Sequence, residues 1–184
     1  MKNRAFVFLC DGFEEIEAIT PIDILRRGEI EVTTISVNNT LKAIGAHNIT
    51  VECDVNLNQT DLNNGDIYIL PGGPGHKTLA QNEIITNQLL KANQENKLIA
   101  AICASPSILG KLGLLVGKKA CCFTGFEEQL SCKTIVMNEP TVTDGNIITS
   151  RGAGTAFSFG IAIINKVFGA DKGKKLEDQM IYMK

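Results

Sequence analysis

Cys103 is the residue of this sequence best placed for covalent chemistry. It closes the apolar run Leu98-Ile99-Ala100-Ala101-Ile102 and is followed at once by Ala104, Ser105 and Pro106. The run has the length of a buried parallel strand, and proline in the first turn of a following helix does little harm there. A strand-to-helix turn of this kind holds a side chain at the carboxyl edge of a sheet, where open α/β folds bind ligands. It also turns the first helical N–H groups and the positive end of the helix dipole toward the sulfur. Both effects lower a cysteine pKa below its free value of about 8.5. Cys103 therefore reads as a nucleophile, or a redox-active thiol, on an elbow.

Two further segments carry groups that such a thiol would use. Pro71-Gly72-Gly73-Pro74-Gly75 follows a strand-like run at residues 66–70 and so reaches the same sheet edge. Glycines let backbone N–H groups come close to a ligand oxygen, as an oxyanion hole requires, and a plain tight turn uses the same residues. The Gly-Lys-Ser/Thr ending of a phosphate loop is absent. Glu14, Glu15 and Glu17 open the first helix, where dipole complementarity alone accounts for acidic residues. Glu17, between Ile16 and Ala18, is the one with a reason to face inward. Burial and a nearby anion push a carboxyl toward its neutral form, and a protonated Glu17 would donate a hydrogen bond to a thiolate. His47 and His76 are the only histidines. His76 reads as a solvated loop residue beyond the glycines, and Ala104 rules out a histidine adjacent to the cysteine.

An α/β framework is needed to bring these residues together. Strand-like runs at 4–10, 32–37, 66–70, 98–102 and 118–122 alternate with helical patterns at 14–27, 82–95, 154–168 and 171–180. The first helix carries Ile16, Ile19 and Leu25, is interrupted or bent by Pro21, and stops at Gly28. Residues 41–53 form a hairpin excursion around Gly45, and residues 126–130 a short helix. Asp144-Gly145 between the arms of residues 141–149 fits a type I′ hairpin turn. The alternation specifies a flavodoxin-like three-layer α/β sandwich, with a mainly parallel sheet and a small antiparallel excursion. One domain spanning residues 1–184 accommodates all of it.

Composition narrows the partners. A net charge of −2 without a dense Lys/Arg cluster gives no nucleic-acid footprint. The apolar run at residues 5–9 is too short, and too soon followed by Asp11, for a signal peptide or a membrane span. A cytoplasmic protein with reduced thiols is the expectation. The six cysteines form no CxxC pair and no His/Cys zinc spacing, so no metal site is expected. Cys121 and Cys122 would face opposite sides of a strand, and most of the cysteines read as small core hydrophobes.

Taken together, several separated segments resemble the DJ-one/ThiJ/PfpI family, in its branch of small DJ-one-like proteins. They are Asp11-Gly12-Phe13-Glu14-Glu15-Ile16-Glu17 with Pro21-Ile22-Asp23 and Arg26-Arg27-Gly28, then Leu70-Pro71-Gly72-Gly73. Ala100-Ala101-Ile102-Cys103-Ala104-Ser105-Pro106 and Thr149-Ser150-Arg151-Gly152-Ala153-Gly154-Thr155 complete the set. The resemblance implies a flavodoxin-like homodimer with Cys103 as the elbow thiol and Glu17 as its protonated hydrogen-bond partner. It implies that Gly72, Gly73 and Ala104 form a backbone oxyanion pocket. The implied activities need no cofactor: a glyoxalase converting methylglyoxal to lactate, a protein deglycase, or an oxidative-stress sensor and chaperone. Relatives place a histidine in the segment after the next strand, and here Cys121-Cys122-Phe123-Thr124 puts Phe123 at that position.

Two readings follow from these residues. In the first, the Cys103 thiolate attacks an α-oxoaldehyde, and Glu17 shuttles a proton through an enediolate. In the second, Cys103 is oxidised to a sulfinate that Glu17 caps by hydrogen bonding. Phenylalanine transfers no protons, so Phe123 weighs against fast catalysis.

Overall fold

Side chains of the first strand, β1 (Arg4–Leu9), alternate between two buried clusters: Ala5, Val7 and Leu9 in one, Phe6 and Phe8 in the other. A strand buried on both faces requires a covering layer on each side. The computed structural model, which describes residues 3–182, supplies both layers. In chain order, β1 is followed by α1 (Glu15–Arg27), β2 (Glu31–Ser36), β3 (Lys42–Ile44), β4 (Thr50–Glu52) and β5 (Val55–Asn56). Next come β6 (Ile67–Leu70), α2 (His76–Gln81), α3 (Glu83–Gln94), β7 (Leu98–Ile102) and α4 (Pro106–Lys111). The last elements are β8 (Lys119–Ala120), β9 (Thr134–Ile135), β10 (Thr141–Asp144), β11 (Ile147–Ser150), α5 (Ala156–Phe168) and α6 (Ala170–Gln179).

The central sheet has seven strands in the order β10-β11-β7-β6-β1-β2-β5, parallel except for β10, which pairs antiparallel with β11. On one face α1, α5 and α6 bury Leu25, Phe159, Ile164 and Leu176. On the other, α3 and α4 bury Ile85, Leu89, Ile108 and Leu109. This is the three-layer, flavodoxin-like sandwich that the alternation of strands and helices specifies. From β1 the chain steps to β2 on one side and returns through β6 on the other. That reversal opens a crevice at the carboxyl ends of β1 and β6, where doubly wound folds bind ligands.

The excursion is a separate two-stranded antiparallel sheet, β3–β4. Backbone bonds contribute to its docking: Gly12 N–H donates to Ile44 O at 2.7 Å, and Ala46 N–H to Phe13 O at 2.8 Å. Helix α1 runs through Pro21 without interruption.

Several elements differ from the sequence expectation. The strand at 118–122 shrinks to Lys119–Ala120 and pairs with β9 outside the main sheet, because Cys121 N–H turns to Thr149 Oγ1 at 3.0 Å. The hairpin turn is centred on Gly145-Asn146, with Asp144 paired to Ile147. Only Gly145 has positive φ (62°), the pattern of a type II′ turn instead of type I′. Helix α2 and edge strand β5 are additions. The glycines and prolines before α2 mask its start, and β5 is too short to carry a pattern.

Candidate active site

Loops from the carboxyl ends of β1, β6 and β7 converge on Cys103. Its φ of 65° lies in the left-handed region, a conformation that costs a non-glycine residue on the order of 1–3 kcal/mol. Two backbone bonds hold it there: Cys103 N–H donates to Ser150 O at 2.9 Å, and Phe123 N–H donates to Cys103 O at 2.8 Å. With both backbone groups occupied, Cys103 is held at the sheet edge and remains partly accessible.

Glu17, in the first turn of α1, is 1% exposed. Its Oε2 accepts the Gly72 N–H at 2.9 Å, and its carboxyl is hydrogen-bonded with Cys103. A Cβ at Gly72 would lie 2.5 Å from Glu17 Oε2 and 2.6 Å from Cys103 Cβ, so glycine alone lets carboxyl and thiol meet. Gly73 has φ of 81°, and a Cβ there would lie 2.5 Å from Gly12 O. The glycine loop is tied on each side: Glu14 N–H donates to Gly72 O at 3.1 Å, and Ser105 Oγ to Pro71 O at 2.6 Å. The Gly73 and Ala104 N–H groups favour a charged sulfur. The structure thus brings Cys103, Glu17, Gly72, Gly73 and Ala104 together in one place.

The electrostatics of the pair differ from the sequence expectation. Burial, reinforced by the Glu14 charge, raises Glu17 to about 7 against the hydrogen bonds from Cys103 and Gly72. Burial, then the charge and hydrogen bond of Glu17, pushes Cys103 up to about 12, against the Gly73 and Ala104 N–H groups. The thiol is therefore raised, not lowered. Helix α4 begins only at Pro106, three residues beyond the sulfur, and is short, whereas a carboxyl lies in direct contact. Both groups are shifted toward their protonated forms, and Glu17 is the more acidic member of the pair and the base adjacent to the thiol.

The other acidic residues serve the hairpin. Buried Glu15 accepts His47 N–H at 2.7 Å and faces His47 Nδ1 at 2.9 Å. Burial acts to raise Glu15, but the hydrogen bonds from His47 and Ile49 outweigh it and hold the carboxyl below its ordinary value. His76 is not a solvated loop residue: it opens α2, with Nδ1 2.8 Å from Gly73 O and its ring edge-on to Phe126. The remaining thiols have no comparable setting. Burial pushes Cys10 and Cys122 up to about 12 and Cys53 to about 11.

Phe123 forms one wall. Its ring is 49% exposed, and a Cβ at Gly152 would lie 3.2 Å from that ring and 3.8 Å from Glu17 Oε1. The anchors Ser150 O, Phe123 N–H and the Ser105 hydroxyl escaped sequence reasoning. Two are backbone groups without a side-chain signature, and the third passes for a helix-start serine. A cleft of about 540 Å³, lined by Ser158, Asn165, Glu177 and Tyr182 among others, includes none of these residues.

Comparison with known proteins identifies the family of this chain. Residues 3–166 match the DJ-1/PfpI family. Protein DJ-1 homolog B of Arabidopsis thaliana is 38% identical over 175 residues, which cover 94% of this chain and 40% of that protein. The chain thus spans less than half the length of this relative. The glutathione-independent glyoxalase DJR-1.2 of Caenorhabditis elegans is 32% identical over 175 residues, 95% of this chain and 94% of that one. The crystal structure of Drosophila melanogaster DJ-1beta superposes with a TM-score of 0.93 at 32% identity, over the whole of both chains.

Proposed function

The chain belongs to the DJ-1/PfpI family, and from that premise we propose that it is a cysteine-dependent, cofactor-free enzyme acting on α-oxoaldehydes of the methylglyoxal type or their adducts. The observation that carries this reading is the Cys103–Glu17 contact, with Glu17 raised to about 7, the range in which a carboxylate works as an acid and a base at neutral pH.

The reaction adds one water across the substrate with no external oxidant or reductant. As sulfur bonds to the aldehyde carbon, the thiol proton passes to the Glu17 carboxylate. The aldehyde oxygen takes the negative charge, facing the Gly73 and Ala104 N–H groups. Glu17 returns the proton to that oxygen, giving a neutral hemithioacetal and a free carboxylate. Glu17 then removes the hydrogen of the former aldehyde carbon, forming an enediolate, and delivers it to the neighbouring carbon, while the hydroxyl proton on the former aldehyde carbon passes to the neighbouring oxygen. The product is a thioester of the 2-hydroxy acid. Water cleaves the carbon–sulfur bond, releases the acid and restores the Cys103 thiol. One carboxyl thus performs the proton transfers to and from sulfur and carbon, which is compatible with phenylalanine at position 123.

Lactate formation from methylglyoxal tests the proposal. Wild type should produce it and Cys103→Ser should not; equal rates in the two would end the enzyme reading. A second reading is favoured by the protonatable Glu17 beside a partly accessible thiol. Peroxide would oxidise Cys103 to a sulfinate, and Glu17 would donate a hydrogen bond to it. A stable Cys103 sulfinate without any lactate would select that sensor function. The homodimer belongs to the same proposal: Ile16 and Ile19 on α1 are 54% and 42% exposed, unusual for isoleucines on one helix face. All six cysteines are free, which suits a reducing cytoplasm, and no helix among the described residues is long and apolar enough to cross a membrane.

A further inference from the structure

Phe123 is a large apolar side chain held at a reactive centre with half of its surface uncovered. Its N–H is spent on Cys103 O at 2.8 Å, and its own carbonyl accepts the Phe126 N–H at 3.2 Å. The next residue is tied as well: Arg151 Nη2 donates to Thr124 Oγ1 at 3.4 Å, while Arg151 Nη1 donates to Met137 O at 2.7 Å. The ring is therefore positioned by its backbone and not by burial, since it is 49% exposed. The open position at Gly152 lies between the ring and Glu17. The position a Cβ would take there is 3.2 Å from the ring and 3.8 Å from Glu17 Oε1.

We propose that Phe123 is the specificity-determining residue of this site, and that the site selects α-oxoaldehydes bearing an aromatic or other flat apolar group on the ketone carbon. The inference rests on the enzyme reading above and deepens it. A substrate bonded to the Cys103 sulfur, with its oxygen toward Gly73 and Ala104 and its reacting carbon toward Glu17, extends its remaining substituent past Gly152. There it meets the Phe123 ring. A methyl group covers little of that ring; a phenyl group covers much of it, in the offset or edge-to-face arrangements that aromatic pairs prefer. The chemical step is unchanged: phenylglyoxal plus water gives mandelate, as methylglyoxal plus water gives lactate.

The test compares kcat/KM for phenylglyoxal and methylglyoxal in wild type, Phe123→Ala, Phe123→Leu and Phe123→Trp. The expected result is a preference for phenylglyoxal in wild type. That preference should fall by roughly tenfold or more in Phe123→Ala, the size expected for losing one well-placed apolar contact. It should fall less in Phe123→Leu and survive in Phe123→Trp. A preference that is the same in all four proteins would overturn the proposal. A second measurement does not depend on turnover. Cys103 is alkylated with phenacyl bromide and with bromoacetone, each rate divided by that of the same reagent with glutathione. Wild type should show an excess for the phenacyl reagent that Phe123→Ala loses; no difference between the two proteins would also overturn it. If neither aldehyde is consumed, the enzyme reading fails on its own, and the alkylation ratio alone decides the role of Phe123.

Discussion

Chemistry at this site is governed by one shared proton. Cys103 is pushed to about 12 by burial and by the Glu17 carboxylate, so the thiol is not a resting nucleophile. In the proposed reaction it becomes one when Glu17 accepts its proton. Glu17→Gln removes the charge that opposes thiolate formation, so Cys103 should ionise at lower pH and be alkylated faster near neutrality. The same change removes the proton carrier of the proposed reaction and should cut turnover by about 10²–10⁴-fold. Thiolate absorbance and alkylation rates against pH, set beside lactate formation, check both halves; slower alkylation in the variant would mean that Glu17 acts on sulfur only as a donor. Stability responds too. A native Glu17 value of about 7, above the ordinary 4.5, means the folded state binds more protons than the unfolded chain between those values. Its contribution is full at low pH and is lost as pH rises through about 7, by roughly 3 kcal/mol over the window. The Tm advantage of Glu17→Gln over wild type should therefore be small near pH 4 and grow to a plateau above about pH 8.

At the scale of elements, three loops meet because glycines let them. Gly72→Ala places a methyl group 2.5 Å from Glu17 Oε2 and 2.6 Å from Cys103 Cβ, whereas nothing lies within 4 Å of a Cβ at Gly154. The first substitution should separate carboxyl from thiol, abolish turnover and cost about 1–3 kcal/mol of stability; Gly154→Ala should do neither. Denaturant unfolding and lactate formation distinguish the two. Much of this arrangement was legible in the sequence. The run 98–102 matched β7 residue for residue, since a fully apolar stretch ended by small residues and proline permits little else. Glu17 was legible as the acidic residue with apolar neighbours on both sides. The raised thiol was not, because desolvation and the Glu17 contact arise only once loops far apart in sequence have met. Nor were the ends of β8 legible: residues 118–122 have strand character, but a side-chain acceptor, Thr149 Oγ1, draws the Cys121 N–H away. The type II′ turn was missed by one residue of register, because Asp-Gly and Gly-Asn overlap at Gly145 and both suit hairpins.

Among the described residues, the outer face of α1 leaves large apolar side chains exposed. The inner face of α1 packs against α5, where a Cβ on Gly160 would lie 2.8 Å from Ile24 Cδ1. Its outer face carries Ile16 and Ile19, 54% and 42% exposed, and the neighbouring hairpin carries Ile44 and Ile49, 45% and 57% exposed. Hairpin and helix are fastened through buried Glu15 and the His47 N–H, so these side chains belong to one docked unit. Four exposed isoleucines on one unit represent apolar surface that a second copy of the chain would cover. The homodimer should therefore depend on them. Light scattering at micromolar concentration should give a dimer mass for wild type and a monomer mass for Ile16→Asp combined with Ile19→Asp, with the circular dichroism spectrum unchanged. Because Glu17 lies on the same helix, one residue from Ile16, exposing that face should also loosen the Cys103–Glu17 contact. The double variant is then expected to lose turnover as it loses its partner, and to regain both at high protein concentration. A monomeric wild type would remove the dimer from this account and leave the Cys103 chemistry standing by itself.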